Sequence, residues 1–265
     1  MNKIYSIPLI ILITWSVLAL LGPILPLHPD QISLEKILLT PNWTQWFGHD
    51  DLGRSISARL IMGARTSLSV AIVVVSISLI IGTFIGMMGA WLGGYWDKAL
   101  VMVIDLFIAF PGILLAIALA GLLGPGIMNA VIALSIVSWV GFARLARVQT
   151  LSMKNRDHVN AAYALGTPGF IIALKHILPL IMAPIIIEAT FAFAGVVIAE
   201  AGLSFLGLGV QPPSASWGSM IRDGTRYMLV APLAPGFAIL SLVLCINLLG
   251  DYLRDKMDIR EISKV

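Results

Sequence analysis

The sequence predicts an all-α polytopic membrane protein with about six transmembrane helices. Three observations predict it. Of the 265 residues, 58% are hydrophobic and only 12% are charged, whereas a soluble domain is roughly 45–50% apolar and about 25% charged. The mean hydropathy is +0.95. The apolar residues fall in long unbroken runs, not in the short alternating segments of a membrane barrel. The same composition excludes a soluble globular enzyme, a disordered chain and a basic nucleic-acid-binding domain. The net charge of +3 is too small to point to an anionic partner. The single cysteine, Cys245, lies in an apolar run. It is expected to pack, and no internal disulfide or cysteine metal site is expected.

The elements follow in order. Met1-Asn2-Lys3 precedes an uncharged run from Ile4 to Leu27. This run is longer than a signal-peptide core and no small-x-small site follows it, so it is expected to be an uncleaved first helix. From His28 to Arg65 charges and prolines return, with Trp43 and Trp46 as interface anchors. The end of this segment, Ser55 to Arg65, is expected to form a short helix lying on the membrane surface. Helix 2 is expected over Thr66–Met88, with Gly82 and Gly86 as a close-contact pair. Asp97-Lys98 marks a turn. Helix 3 carries Asp105 and a Phe110-Pro111-Gly112 step, where a kink is expected. Gly124-Pro125-Gly126 separates it from helix 4, Met128–Ala146. Helix 5 is expected over Leu180–Phe205 and carries Glu188 and Glu200. A Gly- and Pro-rich loop, 207–232, leads to helix 6, Leu233–Tyr252, and a charged tail, 253–265. Residues 66–252 thus form the core, after a first segment 1–27 and an outer segment 28–65. Eleven of the seventeen Lys and Arg residues then fall on the side of the N-terminus. The positive-inside rule puts both termini in the cytoplasm.

The loop 150–179 is built unlike an ordinary connection between membrane helices. Asp157 is expected to cap a two-turn helix that Gly166 stops. Thr167 is expected to cap a second helix with Pro168 at its first position, running to Pro179. A structured amphipathic elbow on the cytoplasmic side suits a docking surface for another protein.

The residues of this elbow carry a resemblance. Asn160-Ala161-Ala162, then Gly166, then Ile177-Leu178-Pro179 resembles the "EAA…G…I-LP" loop of bacterial ABC importer permeases. Phe47-Gly48-His49-Asp50-Asp51-Leu52-Gly53-Arg54 resembles "LGTDxLGRD". Gly63-Ala64-Arg65-Thr66-Ser67-Leu68 resembles "GARxSL". Leu203 to Val210, with Pro212-Pro213 and Trp217-Gly218, resembles "LSFLGLGVQPPxPxWG". Together these are similar to the second, C-type permease of the dipeptide/oligopeptide/nickel family, from Pro41 to Asp258. Asn160 stands where the family has Glu, and Ser55 where it has an acid.

The resemblance implies a type I ABC importer permease architecture in the bacterial cytoplasmic membrane. It implies a second, B-type permease, two cytoplasmic ATPase subunits and an extracytoplasmic solute-binding protein as partners. Asp157, Asn160, Ala161, Ala162, Leu165, Gly166 and Pro179 would couple the chain to the ATPase. The chain has no GxxxxGK[ST] loop, so ATP and Mg would sit on the partner subunits and this chain would be non-catalytic. The implied cargo is a di- or oligopeptide, with nickel or a metal chelate as the alternative. A stand-alone secondary transporter is the distant alternative, and it would be expected to show repeated halves.

Three acids lie in or near apolar spans: Asp105, Glu188 and Glu200. A charge in mid-membrane costs at least about 2.5–3.5 kcal/mol, so each must face protein or water. They are candidates for the translocation path, with structural pairing near a helix end or at a subunit interface as the competing reading for each of the three. Arg144, Arg147, Lys154 and Arg156 are candidates for ATPase contact or for anchoring the inner face. The four histidines show no metal-ligand spacing.

Overall fold

The computed structural model describes residues 3–43, 45–227 and 233–262. Met1, the end of the loop at Pro232 and the last three tail residues therefore lie outside the described residues. The described chain is helical: α1 (Lys3–Leu21), α2 (Ile56–Leu92), α3 (Gly94–Ile108), α4 (Gly112–Leu123), α5 (Ile127–Met153), α6 (Asp157–Ala164), α7 (Gly169–Ile172), α8 (Leu178–Phe205), α9 (Trp217–Tyr227) and α10 (Leu233–Ile262). Four segments are long and apolar enough to cross a membrane: α2, α5, Gly169–Phe205 and the Leu233–Met257 part of α10. The bent pair α3–α4 makes a fifth, and the apolar part of α1, Ser6–Leu21, is shorter.

The surface helix expected over Ser55–Arg65 is not separate from helix 2. Ser55 caps a single helix of 37 residues, its hydroxyl accepting from the Ala58 N–H at 3.4 Å. Nothing between Arg59 and Thr66 breaks a helix, so the chain continues for about 55 Å. Arg59 does not reach for lipid headgroups. It is buried beneath the outer segment, its guanidinium 3.3 Å from Asp30 and 3.6 Å from Asp50.

The outer segment itself folds around Asp50. One oxygen of that carboxylate accepts the N–H groups of Leu52 and Arg54, at 3.0 and 2.9 Å, and the other pairs with the Arg54 guanidinium at 2.7 Å. Gly53 sits at φ +72°, and a Cβ there would run into the Ser33 carbonyl. The histidine, acid and glycine positions of this motif thus build a compact cap over the start of α2.

The step at Phe110-Pro111-Gly112 is sharper than a kink: α3 and α4 meet at 85°. Pro111 has no N–H to continue the ladder and its ring would clash with the preceding turn. Gly82 and Gly86 form the crossing of α2 with α5. A Cβ on Gly82 would strike the Trp139 carbonyl, and one on Gly86 the Ala143 carbonyl, so the helix backbones touch there. One apolar core runs through the bundle, from Leu60, Leu68 and Trp217 at the capped end to Trp91, Val159 and Ile177 at the other.

Candidate functional site

The elbow joins α5 to α8 at the end of the bundle opposite the cap. Arg156 holds the cap position of α6, and Asp157 is its first helical residue and makes no capping bond. The acid there still suits the positive end of the helix. Gly166, at φ +79°, closes α6. Its N–H bonds the Tyr163 carbonyl at 2.9 Å, and the Thr167 N–H bonds the Ala162 carbonyl at 3.1 Å, the two bonds of a Schellman stop. Pro168, not Thr167, caps the next helix, one residue later than expected, with Gly169 opening it.

The second short helix does not end at Pro179. It runs into α8 through a π-helical turn, Ala173–Ile177, in which the Leu178 N–H bonds the Ala173 carbonyl. A wider turn makes room for the ring of Pro179 and uses no N–H from it. The elbow is therefore continuous with a 37-residue rod, Gly169–Phe205.

The two faces of α6 differ. Val159 and Ala162 are buried with Ile172, Ala173 and Ile177. Ala162 therefore seats the helix against the bundle. Asp157, Asn160, Ala161, Leu165, Gly166 and Pro179 are exposed, and Leu165 is 86% exposed. Asn160 donates to the Asn155 carbonyl at 3.3 Å, so the residue in the usual Glu position braces the turn before α6.

Residues from other helices hold the elbow. Trp91, at the end of α2, stacks on Tyr163 of α6. Gly169 lies against both rings, where a Cβ would stand 3.3 Å from the indole nitrogen and 3.4 Å from the phenol oxygen. Lys154 donates to the carbonyls of Trp91 and Ala90, at 2.7 and 3.3 Å, which is favourable at the negative end of α2. Arg147 of α5 grips Asp97 of α3 through two bonds of 2.6 and 2.8 Å. Of the four basic candidates, Arg147 and Lys154 are thus engaged within the chain, and Arg144 and Arg156 are exposed.

The three acids have unlike surroundings. Glu200 is only 1% exposed. It accepts from the Ser67 hydroxyl at 2.8 Å and the Ser204 hydroxyl at 2.7 Å. Ser204 in turn accepts from the Val210 N–H at 3.1 Å. Trp217 is wholly buried beside it, its indole N–H on the Leu60 carbonyl at 3.1 Å. Gly209 and Gly218 leave no room for a Cβ against Ser204 and Ala201. Asp105 is exposed on α3. Glu188 is half-buried at the middle of α8, against Gly141 at the middle of α5.

The profile of the family described as "Binding-protein-dependent transport system inner membrane component" matches residues 78–260. The chain belongs to this family. It is 39% identical over 261 residues to the dipeptide transport system permease protein DppC of Alkalihalophilus pseudofirmus, covering 97% of this chain and 86% of that one. It is 42% identical over 221 residues to the glutathione transport system permease protein GsiD of Escherichia coli, covering 82% of this chain and 73% of that one. Among solved structures it superposes on the inward-facing MetNI methionine ABC transporter with a TM-score of 0.62 at 18% identity, covering 74% of this chain and 95% of that chain. The type I importer fold expected from the motifs is the fold found.

As a member of this family the chain is a multi-pass inner-membrane transport subunit. The family motifs identify the elbow, the cap and the stretch around Glu200. They do not identify Trp91, Tyr163, Val159 or the Asp97–Arg147 pair. Those residues are brought to the elbow from separate helices, and no spacing within the sequence links Trp91 to Tyr163. The one available signal was the pairing of an acid and an arginine at the same predicted membrane end.

Proposed function

We propose that this chain is the permease subunit of an ATP-driven peptide importer. It forms the translocation path with a second permease. Two ATPase subunits dock on the elbow, and a solute-binding protein delivers cargo to the capped end. Both termini then lie in the cytoplasm, on the side richer in Lys and Arg.

The observation that carries this reading is the elbow. A two-turn helix stands at the end of the bundle with Leu165 86% exposed. Tyr163, Phe170 and Ile171 of the same elbow are exposed as well, and several exposed apolar side chains on one extramembrane segment suit a contact surface. Its inner face is seated by Val159 and Ala162, and its exit is a continuous helix through the membrane. Such an elbow passes on a push and would be idle in a self-contained carrier. ATP and Mg belong to the ATPases, and this chain supplies no catalytic group.

The cargo is a peptide, as the names of the dipeptide and glutathione relatives suggest. Glu188 faces the path, and Asp105, exposed on α3, is a second charge open to it. Glu200 ties α2 to α8 and positions α9. Ala162 and Asn160 act in the elbow by seating and bracing it, and Asp157, Ala161, Leu165, Gly166 and Pro179 lie on its outward side.

Co-purification tests the assembly. A tagged chain expressed with its neighbouring reading frames is expected to carry a second permease and two ATPase copies through size exclusion. A chain that elutes alone and transports without ATP contradicts the proposal.

A further inference from the structure

We propose that Glu188 is the binding point for the free ammonium group of the transported peptide; this rests on the peptide-importer reading above. Glu188 lies about 15 Å along α8 from its start at Leu178. That is about half the roughly 30 Å thickness of a bilayer core. A carboxylate there must find a positive partner or water. None of the described residues gives it a hydrogen bond or ion pair. Arg144 is exposed on α5, about one turn past Gly141, and does not pair with it either.

The carboxylate lies against α5: its Oε1 stands 3.4 Å from where a Cβ of Gly141 would be, an ordinary contact distance. Seven and fourteen residues further along α8, on the same face, are Gly195 and Gly202. A Cβ at either would meet nothing within 4 Å. Glu188, Gly195 and Gly202 thus follow one helix face toward the capped end over about 21 Å, with open space in front of both glycines. Cargo entering from that end meets the unpaired carboxylate of Glu188. A dipeptide and glutathione differ in side chains, length and total charge but share a free α-ammonium. A carboxylate in a water-poor site binds that group through a charge-assisted hydrogen bond, among the stronger polar contacts available.

The experiment uses the complete importer, with both permeases, the ATPases and the binding protein, in proteoliposomes. Glu188→Gln is expected to lower uptake of a labelled dipeptide at least about tenfold, with the assembled complex recovered in wild-type yield. Glu188→Asp is expected to retain uptake within about threefold. Glu188→Cys, in a background with the buried Cys245 changed to Ser, is expected to regain uptake after reaction with a sulfonatoethyl thiol reagent. The same variant treated with a trimethylammonium reagent is expected to stay inactive. Wild-type uptake by Glu188→Gln overturns the proposal. So does loss of the second permease from that variant, which would make Glu188 an interface charge. If the wild-type importer takes up no dipeptide, the peptide reading itself fails and the ammonium site falls with it.

Discussion

Trp91 and Tyr163 lie face to face, ring centroids 5.8 Å apart and planes within 9°. Lys154 stands 5.6 Å over the Trp91 ring. The stack joins α6 to the end of α2, so the elbow cannot tilt without moving a helix that spans the bundle. Stacked pairs contribute about 0.5–1.5 kcal/mol beyond their buried area. Tyr163→Ala is expected to leave the complex assembled but to raise the ATP consumed per peptide imported several-fold. Tyr163→Phe keeps the ring and is expected to keep the ratio. Parallel assays of hydrolysis and uptake in proteoliposomes read the difference, and an unchanged ratio in Tyr163→Ala rules out the stack as a coupling element.

The Arg147–Asp97 grip holds the start of α3, whose other end turns through 85° into α4. Both side chains are about one-fifth to one-quarter exposed, so solvent screens part of the attraction. Asp97→Asn is expected to destabilise the complex by about 1–2 kcal/mol. The exchange Asp97→Arg with Arg147→Asp is expected to be more stable than either single charge change. Thermal unfolding of the four forms measures the coupling. A swap no better than the sum of the singles shows that the two residues do not support each other.

Glu200 predicts a graded series. Glu200→Gln still offers an oxygen and an amide to Ser67 and Ser204 and is expected to cost little. Glu200→Leu strands two buried hydroxyls and is expected to cost about 2–4 kcal/mol. Hydrogen exchange in α9 should rise with Leu and not with Gln, because Trp217 relies on the same corner through its own N–H on Ser67, at 3.4 Å.

The cap carries opposed titrations. Burial, with Lys36 nearby, pushes His49 below the ordinary 6.5. Its contribution to stability is present above that value and is lost as pH falls through the depressed one. Burial and the neighbouring Asp50 push Asp51 above the ordinary 3.8. Its contribution is present below 3.8 and is lost as pH rises through the elevated value. Protection against hydrogen exchange over residues 28–55, taken relative to the intrinsic amide rate at each pH, is therefore expected to fall as the outer pH drops below 6.5, and His49→Gln is expected to flatten that response. Asp51→Asn is expected to slow exchange at neutral pH, with the gain shrinking on acidification. An Asp51→Asn variant that exchanges faster at neutral pH reverses the sign argued here.

Much of this arrangement was legible in the residues. Gly166 was readable as a helix stop because a positive φ has few other occupants. Pro111 was readable as a break because it lacks a donor, although its angle was not, since α3 and α4 are set by packing on α5. The continuity of α2 through Arg59 was not legible. A buried arginine looks like a surface one until Asp30 and Asp50 are brought over it by the cap. Pro179 misled for a similar reason: a proline marks a boundary in sequence, and only the π-turn before it allows the helix to continue. Glu200 and Glu188 are alike as letters in an apolar run. Ser67, 133 positions away, separates their roles.

The most direct test is ATP-driven uptake by the complete importer with one residue changed on the exposed face of the elbow. Leu165 is open to water, so Leu165→Glu has no packing to lose, and the complex of the two permeases should form normally. The expected result is peptide uptake that needs both ATP and the binding protein in the wild type, and at least about a tenfold loss in Leu165→Glu through weakened ATPase docking. Uptake by this chain without ATP, or undiminished uptake in Leu165→Glu, would contradict the assignment of the elbow as the ATPase contact.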